Sequence, residues 1–502
     1  MQRHRLILSK CSSLFNDTYI YKAYDIYEPS RAEIPSFAVV HRCRFIIYFL
    51  FKERFPKSKK MVSSVVRSSL LYPTVRHYAV AATVSKCAAL APEIKVLNNK
   101  VTIAAYDNHA PIAQVSIVFR AGSRNETHDT QGTAHYLRIA AGLSTSCATS
   151  FAITRNIQQR GGNLITTVDR ESIAYTLQIT KNNLVDALQY LEFAATKQIF
   201  KPWEIADELP RLKYELFSLS DSVLILELLH KAAYRSGLGY SLFCPEHQLG
   251  KIGTESLQHF VNTWCTAPRC AVVGTGVSLS ELTALGSNLS IGSTDNTNEE
   301  SKYYGGEIRK ETGSDLTSVA IAVEGVSLKN EKDALACAIL QRASGSGPRV
   351  KWGSSPSSLH KQVSSAAGRE PFGLSTFNAS YTDSGLFGVV LCSTSNVAGF
   401  LTKAACEWLK CFKLSNDDIT RGKNILKTEI LDAADNSLCL LESMQQQAVL
   451  KGNISSPTSL VNDIDQISSS DVKDIADKLI KGKLSVAAIG NLKTVPYIDD
   501  LK

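Results

Sequence analysis

This 502-residue chain carries one pattern twice, about 215 residues apart, and that repeat limits the fold more than any other feature. Ile205, Leu212, Lys213 and Glu215 recur as Ile419, Leu426, Lys427 and Glu429, each offset by 214. Ser222 and Glu227 recur as Ser437 and Glu442, offset by 215. The amphipathic segment from Ile252 to Val261 then recurs from Ile467 to Ala476, and each copy runs on into an apolar strand ending in glycine, at Gly274 and Gly490. Single matches of this kind are noise. A nearly constant offset through two helices and a strand means two copies of one domain.

Each copy reads as α+β. In the first, Val115–Phe119 is a strand, and Asn163–Ile179 alternates like a strand pair joined at Asp169-Arg170. Helical periodicity follows over Asn183–Ala195, Pro202–Leu219 and Val223–Tyr234. In the second, Ser318–Val323, Gly373–Ser380 and Leu386–Cys392 read as strands, with helices over Lys332–Arg342, Ala398–Cys411, Asp417–Asp432 and Ser437–Leu450. Residues 286–301 are rich in Gly, Ser and Asn and poor in apolar residues, as a linker is. The expected architecture is two tandem homologous α/β domains, 93–285 and 302–502, each a mainly antiparallel sheet with helices packed on one face.

Charge is unevenly placed. Residues 1–92 hold 15 Lys/Arg against 5 Asp/Glu, so the remainder holds 40 against 42 and the net +8 lies wholly in the head. A neutral body excludes a nucleic-acid-binding fold and makes the head a targeting segment. From Met61 to Pro92 there is no acidic residue, and Arg67, Arg76 and Lys86 are interleaved with Ser, Val, Leu and Ala, the composition of a mitochondrial presequence. The expectation is a presequence over 61–78, cleavage between Tyr78 and Ala79, and an N-terminal arm over 79–92. Residues 1–60 are expected to be a non-native or disordered extension, with Met61 the start. The apolar run Phe45–Phe51 is far below the ~20 residues a membrane span needs, and nothing after 92 is long enough either. The twelve cysteines include no C-x-x-C pair; Cys265/Cys270 and Cys406/Cys411 read as reduced thiols rather than a disulfide frame or zinc site.

One short stretch bears on chemistry. His135-Tyr136-Leu137-Arg138-Ile139 has the frame of H-x-x-E-H, in which two imidazoles one turn apart hold zinc and the Glu takes a proton from its bound water. Arg138 stands where the base belongs and Ile139 where the second ligand belongs. A guanidinium neither accepts a proton near neutral pH nor tolerates a dication beside it, and isoleucine has no lone pair. Taken alone, one histidine on an apolar helix is an ordinary hydrogen-bonded core residue. The glycine-bearing stretch Ala343–Lys351 (Gly345, Gly347, Pro348) lacks the G-K-[ST] ending of a phosphate loop and reads as a flexible turn after a helix.

Two tandem α/β domains with such a helix early in the first resemble the pitrilysin/mitochondrial processing peptidase family. The runs Pro202–Asp207, Gly305–Arg309 and, most specifically, Phe377–Gly388 (FNASYTDSGLFG) resemble its branch of core subunits of the respiratory ubiquinol–cytochrome c reductase. The resemblance spans 93–502 and implies a catalytically dead member: the first zinc ligand matches His135, base and second ligand fall on Arg138 and Ile139, and the third ligand falls near Glu215. Because Glu215 recurs as Glu429, it reads as an exposed helix carboxylate. The resemblance further implies no cofactor, since haem, iron–sulfur and quinone sites lie on other subunits. Its partners would be core protein 1 and other subunits of that complex, with attachment to the inner membrane peripheral, on the matrix side, through those partners. The glycine stretch is similar to a shortened form of the loop with which the processing peptidase's non-catalytic subunit binds presequences. The alternative it implies is that presequence-binding subunit.

Overall fold

The computed structural model describes residues 91–345 and 357–501. Tyr78, Ala79, Gly347 and Pro348 lie outside them, as does everything expected of the head. Along the first half run β1 (Glu93–Val96), β2 (Thr102–Tyr106), β3 (Ile112–Phe119), α1 (Thr133–Ile139), α2 (Ser150–Gln159), β4 (Asn163–Val168), β5 (Ile173–Thr180), α3 (Leu184–Thr196), α4 (Pro202–Asp207), α5 (Leu209–Phe217), α6 (Asp221–Tyr234), α7 (Thr254–Trp264), β6 (Cys270–Thr275) and α8 (Leu279–Asn288). The second half repeats the plan: β7 (Gly306–Glu311), β8 (Leu316–Glu324), α9 (Glu331–Ser344), α10 (Ser358–Ala367), β9 (Phe372–Ser380), β10 (Gly385–Thr394), α11 (Ser395–Leu409), α12 (Asn416–Asp435), α13 (Ser437–Leu450), α14 (Pro457–Gln466), α15 (Ser469–Ile480) and β11 (Ser485–Gly490).

The sheets have the orders β1-β2-β6-β3-β5-β4 and β7-β11-β8-β10-β9. Apart from the extra β1 they correspond strand for strand in order and direction: β2 parallel to β6 as β7 is to β11, and every other neighbour antiparallel. The β4–β5 pair turns at Asp169-Arg170, where the Asp169 amide reaches the Ser172 carbonyl at 2.8 Å. Capping boxes at Ser278/Glu281, Ser415/Asp418 and Ser468/Asp471 start α8, α12 and α15 by satisfying helix N–H groups that have no partner inside the helix. The first of these carries α8 three residues into the stretch read as linker, so irregular chain begins at Leu289.

One face of each sheet is covered by helices of its own half, with cores around Ile117, Phe119, Tyr175, Leu191 and Phe260 in the first and Ile321, Phe387, Leu401 and Trp408 in the second. The opposite faces are covered by exchange. Helix α6 of the first half lays Ile225, Leu229 and Ala233 on Ala320, Ala322, Ala487 and Ile489 of the second sheet. Helix α13, its repeat counterpart, lays Leu441, Met444 and Ala448 on Ala104, Ala271 and Val273 of the first. The period of two puts Ala104 and Ala271 on this face of the first sheet and Ala320, Ala322 and Ala487 on that of the second, and these small residues let a helix approach closely.

Candidate functional site

The site is built on α1. Gly132 enters that helix at φ +95, and a Cβ there would lie 2.7 Å from Cys244, so only glycine brings the chain this close. The carboxylate of the buried Glu126 accepts the Gly132 and Ala134 amides, both at 2.8 Å, and so fixes the start of the helix. Burial pushes its pKa up to about 8 against the pull of those two amides.

His135 is 1% exposed and fully satisfied. Its Nδ1 accepts the Cys244 amide at 3.1 Å, which assigns the proton to Nε2, and Nε2 faces Glu215 Oε2 at 3.2 Å. The Phe243 ring stands edge-on at 5.6 Å. Burial lowers the imidazole's pKa, and the Arg138 charge opposes the Glu215 contacts that would raise it, so His135 is neutral at neutral pH. One turn on, Arg138 forms an ion pair with the same Glu215 oxygen, and Arg211 Nε lies 3.4 Å from the other. Partial burial pushes the Glu215 carboxyl up, but the His135 and Arg138 contacts outweigh it and hold the pKa down to about 2. Ile139 is 3% exposed and belongs to the apolar core.

The structure therefore brings His135, Arg138 and Glu215 together, with Ile139 buried in the adjoining apolar core. Glu215 is not the exposed helix carboxylate expected from its recurrence: it anchors α5 to α1. Its copy Glu429 is also paired, with Arg342 Nε at 2.5 Å. Sequence reasoning missed Glu126, Arg211 and Cys244. Arg211 was within reach, four residues before Glu215 on one helix face; nothing in the sequence singles out Cys244, which contributes a backbone amide.

The donor set does not fit zinc. Three protein ligands and an open position are needed for catalysis. Here one imidazole presents a proton to a carboxylate already paired with a guanidinium, and the second ligand is a hydrocarbon. Among the described residues no three His, Cys, Asp or Glu side chains are grouped to hold a metal. Gly345 ends α9 at φ +118, and its carbonyl accepts Thr376 Oγ1 at 2.9 Å and the Thr376 amide at 3.3 Å. The first glycine of the stretch is thus pinned to β9 rather than loose. Cys265, Cys270 and Cys406 are buried free thiols, and Cys411 is an exposed one.

Comparison with known proteins gives two adjoining matches. Residues 101–246 match the model of the insulinase family, peptidase family M16, and residues 251–426 match the M16 inactive domain. The cytochrome b-c1 complex subunit 2, mitochondrial, of Homo sapiens is 36% identical over 418 residues, covering 82% of this chain and 92% of the relative. Its Mus musculus counterpart is also 36% identical, with the same shares covered. The probable mitochondrial-processing peptidase subunit alpha-1 of Arabidopsis thaliana is 27% identical over 423 residues, covering 82% of this chain and 84% of that one.

Proposed function

The chain belongs to peptidase family M16, and on that premise we propose that it is a non-catalytic core subunit of the mitochondrial cytochrome b-c1 complex, the ubiquinol–cytochrome c reductase. The observation that carries this reading is the 36% identity extending over 92% of a cytochrome b-c1 subunit. Processing-peptidase subunits align over a similar span but at 26–27% for the alpha subunits, which places the presequence-binding alternative second.

The site supports a structural role. Loss of a general base alone removes about two to four orders of magnitude of rate, and here the second ligand is replaced as well. Arg138 supplies the positive charge Glu215 needs, so the two helices stay joined without metal. What such a subunit gives its complex is buried surface, typically above ~2,000 Å² for obligate partners. No helix among the described residues is long and apolar enough to cross a membrane; the attachment we propose is peripheral, through partner subunits on the matrix side. The partner we propose is core protein 1, a second subunit of this fold, together with the membrane-embedded subunits.

Native-gel separation of mitochondria followed by mass spectrometry tests this. The chain should migrate with cytochrome b and the c-type cytochrome. Recovery only in a soluble matrix heterodimer would overturn the proposal and favour the presequence-binding subunit.

A further inference from the structure

The most distinctive run of the sequence ends in the hairpin between β9 and β10, and its four tip residues all reach into the first half. Tyr381 donates its hydroxyl to His230 Nε2 on α6 at 2.7 Å, since His230 Nδ1 donates to the Leu226 carbonyl. Thr382 gives its amide and hydroxyl to the two oxygens of Glu171 at 3.0 and 2.5 Å. Asp383 forms an ion pair with Arg124 and accepts the Ser301 amide at 2.7 Å. Ser384 meets the Tyr234 hydroxyl at 3.0 Å, and that hydroxyl also donates to the Gly385 carbonyl at 2.8 Å. Arg124 closes the group, reaching Glu171 at 2.5 Å and the Glu299 carbonyl at 2.7 Å. Hairpin tips ordinarily lie in water; here Tyr381, Ser384, Arg124 and Glu171 are all buried.

The exchanged helices do not make these bonds redundant. They rest largely on Ala, Val and Ile side chains, with Gln445 Nε2 donating to Thr176 Oγ1 at 3.3 Å, and the apolar part of that contact is non-directional, so it resists separation better than rotation or sliding. Hydrogen bonds and ion pairs have preferred directions. We infer that the Tyr381–Ser384 hairpin is a latch that fixes the angle between the two halves, converting two packed copies into one rigid frame.

The full chain provides its own probes, because Cys147 and Cys411 are exposed thiols in different halves. With Cys11, Cys43 and Cys87 changed to Ser, spin labels at Cys147 and Cys411 report the inter-half distance. The expected result is one narrow distribution in the parent. In Thr382→Val/Asp383→Asn it broadens, and amide exchange over 122–126 and 298–301 quickens about tenfold while β6 and β11 keep their protection. An unchanged distribution with unchanged exchange would overturn the inference, because the exchanged helices alone would then set the angle. So would an equal loss of protection in β6 and β11, which would make the tip a general stabiliser. Should the double variant fail to fold, Tyr381→Phe, which removes only the hydroxyl facing His230, gives the same readouts on a smaller scale.

Discussion

The motif site in the first half and its counterpart in the second differ less than their histories suggest. Helix α1 follows the central strand β3 as α9 follows β8, and each carries an arginine that pairs with a glutamate on a later helix, Arg138 with Glu215 and Arg342 with Glu429. The exposures nearly match, at 14% and 25% for the first pair and 17% and 23% for the second. The difference lies three residues before each arginine, where the first half has His135 and the second the fully buried Ile339. The shared need is a cation–carboxylate tie between the helices. The imidazole is an addition peculiar to the first half, and both its nitrogens are engaged.

The largest effect should come from separating the halves by chemistry. Arg138→Glu/Ile139→His sets two imidazoles and a base on one helix face beside Glu215, and about one zinc per chain should be retained through dialysis when measured by atomic absorption. The matching change, Arg342→Glu/Ala343→His, meets Ile339 instead of a histidine and should retain none. Zinc in both or in neither would break the comparison. Next, Glu215→Gln and Glu429→Gln should each lower urea-derived stability by about 2 kcal/mol and add in the double variant, since each leaves a partly buried guanidinium without its carboxylate. A cost at Glu215 alone would show that only the first tie matters.

A pH titration sharpens the same point. The Glu215 carboxyl is depressed from 4.5 to about 2 in the folded chain. Its stabilisation is therefore complete above pH 4.5 and lost as pH falls through about 2. After discounting for solvent screening at a quarter-exposed group, about 1–2 kcal/mol of acid-dependent stability should vanish from the Glu215→Gln profile. The smallest effect is expected from His135→Ile, which copies the second half. It orphans the Cys244 amide and should cost about 1 kcal/mol.

Much of this was legible beforehand. Period-two alternation gave the β4–β5 pair to within a residue or two, and Ser437–Leu450 is a helix over the same bounds as its periodicity predicts. Periodicity says that a helix is buried, not against which sheet, so the exchange of α6 and α13 was out of reach. The clue was that α6 is apolar on more than one face, with Ile225, Leu229 and Ala232 on one side and the partly buried Leu224 and Leu228 on another. Glu215 was misread for a related reason. A carboxylate's exposure depends on partners 77 and 80 residues away, and recurrence at position 429 does not reveal them. Arg342 follows Arg138 by 204 residues while Glu429 follows Glu215 by 214, so the repeated pairing shows only in the structure.

The exchange of helices has a temporal side. Synthesis runs from the N-terminus, so the first sheet's strands, complete at Thr275, must wait for Ser437–Leu450 before Ala104, Ala271 and Val273 are shielded from water. For those intervening residues an apolar sheet face stands open, in a chain whose closing contacts span hundreds of residues. Such chains fold slowly and are exposed to aggregation while they do. A nascent or newly imported copy would be most dependent on chaperones in the interval before Ser437–Leu450 arrives.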